Sequence, residues 1–108
     1  MQNKIKTKKE VFNLISDNLH LCSSIKKYFR LEINEHKYLN KLMLKLAYLE
    51  IYIEYNVFES HLGKIEFFYD QLFNLNNELK RISLSNSFYY PQTRLSIKFD
   101  GDIYGRNR

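Results

Sequence analysis

Residues 7–29 read TKKEVFNLISDNLHLCSSIKKYF, and this stretch decides the fold. Thr7 and Glu10 form a T-x-x-E capping box, in which the threonine hydroxyl accepts from the Glu10 backbone N–H and the Glu10 carboxylate reaches back. Behind the box, Val11, Ile15, Leu19, Cys22, Ile25 and Phe29 recur at spacings of three and four. That spacing lays one apolar stripe along a helix running to about Phe29 or Arg30. Lys26, Lys27 and Arg30 carry the charge that suits the negative end of its dipole.

Downstream, the same periodicity predicts two more helices. Asn34 is a good N-cap for a second helix, whose main stripe is Leu39, Leu42, Leu46, Leu49, Ile53 and Val57. Its other face carries Lys37, Lys41 and Lys45, then Tyr48, Tyr52 and Tyr55. A helix apolar on two faces is expected to be central, touching two neighbours. Ile65, Phe68, Leu72, Leu75, Leu79 and Ile82 form a third stripe, out of phase with the second by about 120°. The phase shift predicts a break between Glu59 and Gly63, with Gly63 as a left-handed cap.

After Ile82 the pattern changes. Ser83 to Ser87 is a polar connector, and Leu95, Ile97 and Phe99 alternate with Ser96 and Lys98 in the period of a strand. Asp100-Gly101 signals a turn, and 88–90 or 102–104 would supply the pairing strand. The expected fold is mainly α: an antiparallel three-helix bundle with a small C-terminal β-hairpin. One domain spans 1–108, with the bundle over about 7–83 and the hairpin and basic tail over about 86–108.

The 108 residues carry a formal net charge of +5, and the charge is unevenly placed. Lys4, Lys6, Lys8 and Lys9 crowd the first ten residues, and Arg94, Lys98, Arg106 and Arg108 mark the C-terminal end. Between them, residues 26–45 are basic and residues 46–93 are acidic. Folded as an up-down-up bundle, the chain places Lys26, Lys27, Arg30, Lys37, Lys41, Lys80 and Arg81 toward one pole. Glu54, Glu59, Glu66 and Asp70 gather at the other. Such polarity suggests an oriented binding protein.

Composition limits the remaining classes. Apolar residues make up 44% of the chain, which argues against global disorder. Lys, Asn, Ile, Tyr and Phe dominate while Ala and Pro occur once each, a bias expected of an A/T-rich genome. Cys22 is the sole cysteine, so an internal disulfide is excluded and a cytoplasmic, reducing, intracellular location is expected. No apolar run reaches the roughly 18–20 residues of a membrane span, and none of signal-peptide length follows the basic start, so no membrane partner is expected.

Catalytic patterns do not emerge. His20, His36 and His61 lie on separate segments without metal-ligand spacing. Arg30 and His36 stand six residues apart, which turns them about 240° from one another on a helix and away from an arginine–histidine catalytic pair. Cys22 falls on the core stripe, where a thiol packs as a small hydrophobe. The expectation is a protein without enzymatic activity, cofactor or metal.

Two binding readings remain. In the first, Tyr48, Tyr52, Tyr55, Phe88, Tyr90, Leu95, Ile97 and Phe99 form a protein interface and the charges steer association. The chain would then be an accessory or inhibitory protein, of the kind mobile elements and viruses encode, acting on a larger macromolecular machine. In the second, Lys26, Lys27, Arg30, Lys37, Lys41, Lys45, Lys80 and Arg81 contact phosphates of RNA or DNA in a nucleoprotein assembly. A homodimer joining oppositely charged poles is a third arrangement.

Overall fold

The computed structural model describes residues 7–55 and 62–96. Three helices follow one another: α1 (Lys8–Tyr28), α2 (Ile33–Tyr55) and α3 (Leu62–Ser85). α1 begins with both halves of the expected capping box, Glu10 N–H to Thr7 Oγ1 at 3.2 Å and Thr7 N–H to Glu10 Oε1 at 2.9 Å. It ends at Phe29, whose N–H still reaches the Ile25 carbonyl.

The cap of α2 differs from expectation. Glu32, not Asn34, precedes the helix, and the Glu35 carboxylate accepts from the Glu32 N–H at 2.9 Å. A carboxylate three residues into a helix satisfies an orphan donor as well as an asparagine cap does, and its charge suits the N-terminal dipole. Gly63 lies within the first turn of α3 and caps nothing. α3 outlasts its stripe by a turn fraction, through Ser83 and Leu84 to Ser85, and stops at Asn86. There φ is 57°, a left-handed value that asparagine tolerates, and the Asn86 N–H closes on the Ile82 carbonyl at 3.0 Å.

The helices run up, down and up. Tyr52 of α2 meets Phe68 of α3, with ring centroids 6.5 Å apart, while Tyr38, near the start of α2, lies by Cys22 and Glu78. The expected antiparallel bundle is therefore present. The core is the union of the stripes, with Val11, Ile15, Cys22 and Ile25 of α1 facing Leu39, Leu46, Leu49, Ile53, Leu72, Leu75, Leu79 and Ile82. Burying each Leu or Ile contributes about 1.5–3 kcal/mol before entropy is counted.

One expectation fails and another is not seen among the described residues. α2 is not the central helix: α1 packs closely on both others, and among the described residues no Cα of α2 comes within 8 Å of one of α3. Residues 86–96, here the strap, lie between the first half of α2 and the second half of α3, while Tyr52 and Phe68 meet directly at the other end. The expected hairpin is also not seen. No residue of 86–96 is in a strand, and the rest of the expected hairpin, including Ile97 and Phe99, lies outside the described residues. The physical reason lies in α3. Glu78 and Gln71 there accept from the N–H groups of Gln92, Thr93 and Ser96, which a partner strand would otherwise have to satisfy.

Candidate functional site

The strap runs antiparallel to α3 and is gripped by two side chains of that helix. Glu78 accepts from the N–H of Gln92 at 2.6 Å, from the N–H of Thr93 at 2.9 Å and from the Thr93 hydroxyl. Two turns earlier, Gln71 accepts from the Ser96 N–H at 3.1 Å and donates to its hydroxyl at 3.0 Å. The two side chains are about 10.5 Å apart along the helix axis, matching the three to four extended residues they hold. Tyr89 donates its hydroxyl proton to the Glu78 carbonyl at 3.2 Å, and Arg81 Nε approaches the same hydroxyl at 3.5 Å.

Glu78 is only 7% exposed, but its cover is the single layer of the strap rather than the depth of the core. Burial pushes its carboxyl up. Hydrogen bonds from the Thr93 hydroxyl and the Gln92 and Thr93 amides, helped by the Arg81 charge, outweigh burial and hold it below its usual value. The carboxylate is therefore ionised at neutral pH.

On its other side the strap faces α2. Pro91 and Leu95 are buried, and the Tyr90 ring meets Tyr38 edge-on with centroids 5.1 Å apart. Lys45 Nζ donates to the Leu95 carbonyl at 3.5 Å. Between α2 and the strap's outer surface lies a groove of about 720 Å³, floored by Leu42, Pro91 and Leu95 and rimmed by Lys41, Lys45 and Arg94. A smaller recess of about 460 Å³ continues it past Tyr38 and Tyr90 to Lys37 and Asn34. None of the residues lining either cavity is acidic.

This groove unites residues from both predicted sets: Lys37, Lys41 and Lys45 from the basic one, Tyr90 and Leu95 from the interface one. The others scatter. Lys26 donates to the Asn40 side chain, and Lys27 lies 5.4 Å over the Tyr28 ring. Arg30 and Lys80 are exposed. Tyr48 and Tyr52 are half-buried, Tyr52 against Phe68, whereas Tyr55 is 80% exposed. Phe88 packs against the core and edge-on to Tyr90.

Sequence reasoning missed Tyr38, Glu78, Gln71 and Arg94. Tyr38, Lys41 and Lys45 share a helical face at i, i+3 and i+7, a signal that was available. Glu78 and Gln71 stand seven apart beside the α3 stripe, but their partners are backbone groups with no signature in sequence. Burial pushes the Tyr38 phenol above its ordinary value, joined by the nearby Cys22, Glu78 and Tyr90 and opposed by Arg94, so it is neutral in the groove. Burial pushes the Cys22 thiol up to about 12, against a smaller pull from Lys26. Among the described residues no group of three or more His, Cys, Asp or Glu could hold a metal ion, and no helix is long and apolar enough to cross a membrane. No family model matches the chain, and neither the curated proteins nor the solved structures contain a match.

Proposed function

We propose that this chain is a non-enzymatic binding module, an accessory or inhibitory protein that docks on a larger protein through the groove between α2 and the strap. The observation that carries the reading is the combination of an apolar, tyrosine-flanked floor with a rim of Lys37, Lys41 and Arg94. An acidic segment with one or two apolar anchors is complementary to both parts. The anchors desolvate over Leu42, Pro91 and Leu95, while the cations steer the encounter and fix orientation.

A random-peptide phage library selected against the immobilised protein tests it. Acidic peptides with aromatic or aliphatic anchors are expected, and their affinity should drop when Lys37 and Lys41 are both changed to Glu. No enrichment, or peptides indifferent to that substitution, would sink the reading.

One observation favours a second reading, nucleic-acid binding: Lys37 and Lys41 are exposed one turn apart beside the exposed Tyr90 ring. Phosphate contact by these residues would be tolerant of sequence and steeply salt-dependent. Anisotropy with a mixed-sequence RNA or DNA oligonucleotide across salt concentrations separates the two. A steep fall of log affinity with log salt selects the nucleic acid, and no binding at low salt removes it.

A further inference from the structure

The strap is attached in an unusual way for a segment that completes a core. Among the described residues, no backbone–backbone hydrogen bond joins residues 87–96 to the helices, and the last such bond is Asn86 N–H to Ile82. Everything beyond it is held by side chains. Glu78 and Gln71 read the main chain of Gln92, Thr93 and Ser96, and Lys45 reads the carbonyl of Leu95. The side chains of Gln92 and Arg94 are exposed, so at these positions the seat reads at most the main chain. The seat thus recognises an extended backbone, with specificity limited to a hydroxyl at Thr93, small hydroxyl at Ser96 and apolar side chains at Pro91 and Leu95.

We propose that the seat between α2 and α3 is a receptor for an extended polypeptide segment of this pattern, Pro-x-Thr-x-Leu-Ser, and that the chain's own strap occupies it until a partner's segment displaces it. This goes beyond the reading above: the seat lies beneath the strap, apart from the outer groove, and takes a different ligand. Its geometry follows from the two faces of the strap: Glu78 and Gln71 of α3 hold the main chain of Gln92, Thr93 and Ser96 on one side, Lys45 of α2 meets the Leu95 carbonyl on the other, and a segment held this way is extended. Its charge preference follows from Glu78, whose buried carboxylate accepts donors and repels acidic side chains beside it. Release leaves the hydrogen bonds of all three helices intact. The hinge is Ser85, Asn86 and Ser87, where Ser85 Oγ bonds the Ile82 and Ser87 carbonyls. Opening it frees Asn86 from its left-handed conformation.

The test is competition between strap and ligand in the full chain. A dye-labelled peptide with the sequence of residues 86–96 is titrated by fluorescence anisotropy. A first protein variant carries Thr93→Ala and Leu95→Ala, which weaken the strap in place. Its affinity for the peptide is expected to exceed that of the unchanged chain by about tenfold or more, because a seat that is closed most of the time weakens apparent binding by the closed fraction. Adding Glu78→Ala should abolish the gain, and Lys37→Glu with Lys41→Glu should leave it unchanged, which separates this site from the outer groove.

Equal affinity in the strap variant and the unchanged chain, with helical circular dichroism retained, overturns the proposal. Should the strap variant lose its helices, a second arm decides. Gln71→Cys and Ser96→Cys are joined by a short bismaleimide, which pins the strap. Loss of peptide binding on crosslinking supports displacement, and undiminished binding overturns it. A stable dimer of the strap variant by analytical ultracentrifugation would overturn the partner assignment, since a second copy of the chain would then fill the seat.

Discussion

Asn76 donates its side-chain amide to the side-chain oxygen of Asn18, 2.8 Å away, in the sealed interface between α3 and α1. Asn18 in turn donates to the carbonyl of Leu72 at 3.1 Å. A polar pair in an apolar seam stabilises one register above others, because any slip leaves its amides unpaired in the interior. Asn18→Ala should therefore cost about 1–3 kcal/mol in urea unfolding, from the groups it strands. Replacing both asparagines by Leu should recover or exceed the original stability while broadening amide NMR signals, as alternative registers become comparable. A double variant with sharp signals would show that apolar packing alone sets the register.

Glu78→Gln keeps the shape but loses the ionised acceptor of three hydrogen bonds. Stability should fall by about 1–3 kcal/mol at neutral pH in guanidinium titration. The dependence on pH has a definite sign. The carboxyl lies below its usual 4.5 in the folded chain, so its contribution is complete above that value and disappears as pH falls through the lower folded value. The gap between the parent and Glu78→Gln should close in acid. A gap constant from neutral pH to pH 3 would disprove the role.

Leu95 is the deepest apolar anchor of the strap. Leu95→Ala should cost about 2–5 kcal/mol, toward the lower end because the seat opens to the surface and can relax. Leu95→Asp should detach the strap altogether. Far-UV circular dichroism should retain most helical signal while hydrogen exchange of the Gln92, Thr93 and Ser96 amides loses protection. Complete unfolding of Leu95→Asp would instead mark the strap as indispensable to the bundle.

Cys22 should be inert in the folded chain. With its pKa at about 12 and no exposed surface, labelling by an aromatic disulfide reagent at mildly alkaline pH should proceed only through opening of the fold, and in denaturant at the rate of a free thiol. Rapid labelling without denaturant would contradict the burial.

Thr7→Ala removes one half of the α1 capping box and strands the Glu10 N–H. A loss of about 1 kcal/mol in thermal or chemical unfolding is expected, with Thr7→Ser nearly neutral.

Much of the bundle was legible in the sequence. The capping box at Thr7 and Glu10 and the three apolar stripes are local patterns whose physics operates within one helix, and they gave helix number, order and approximate ends. In α1 the apolar pattern shows only part of the buried face: Leu19 packs half-buried against the core, and Asn18 is fully buried in the run Val11, Ile15, Asn18, Cys22, Ile25. The spacing was right and the polarity disguised it. The hairpin was not legible from 86–96: the alternation of Leu95 and Ser96 reports an extended chain with one face covered without saying what pairs its backbone. The acceptors proved to be Glu78 and Gln71, whose use as backbone receptors depends on tertiary placement. The groove was legible in pieces. Lys37, Lys41 and Lys45 on one side and Tyr90 and Leu95 on the other were recognised, but their meeting required the strap to lie along α2.

The order of contacts has a consequence for folding: α1 packs on both neighbours by itself, whereas residues 87–96 are held only by side chains, so the helices can gather before the strap is seated. Until then Leu42 lacks the cover of Pro91 and Leu95, and Glu78 has no amides to receive. A chain whose helices have gathered without the strap therefore exposes apolar surface that chaperones and proteases recognise.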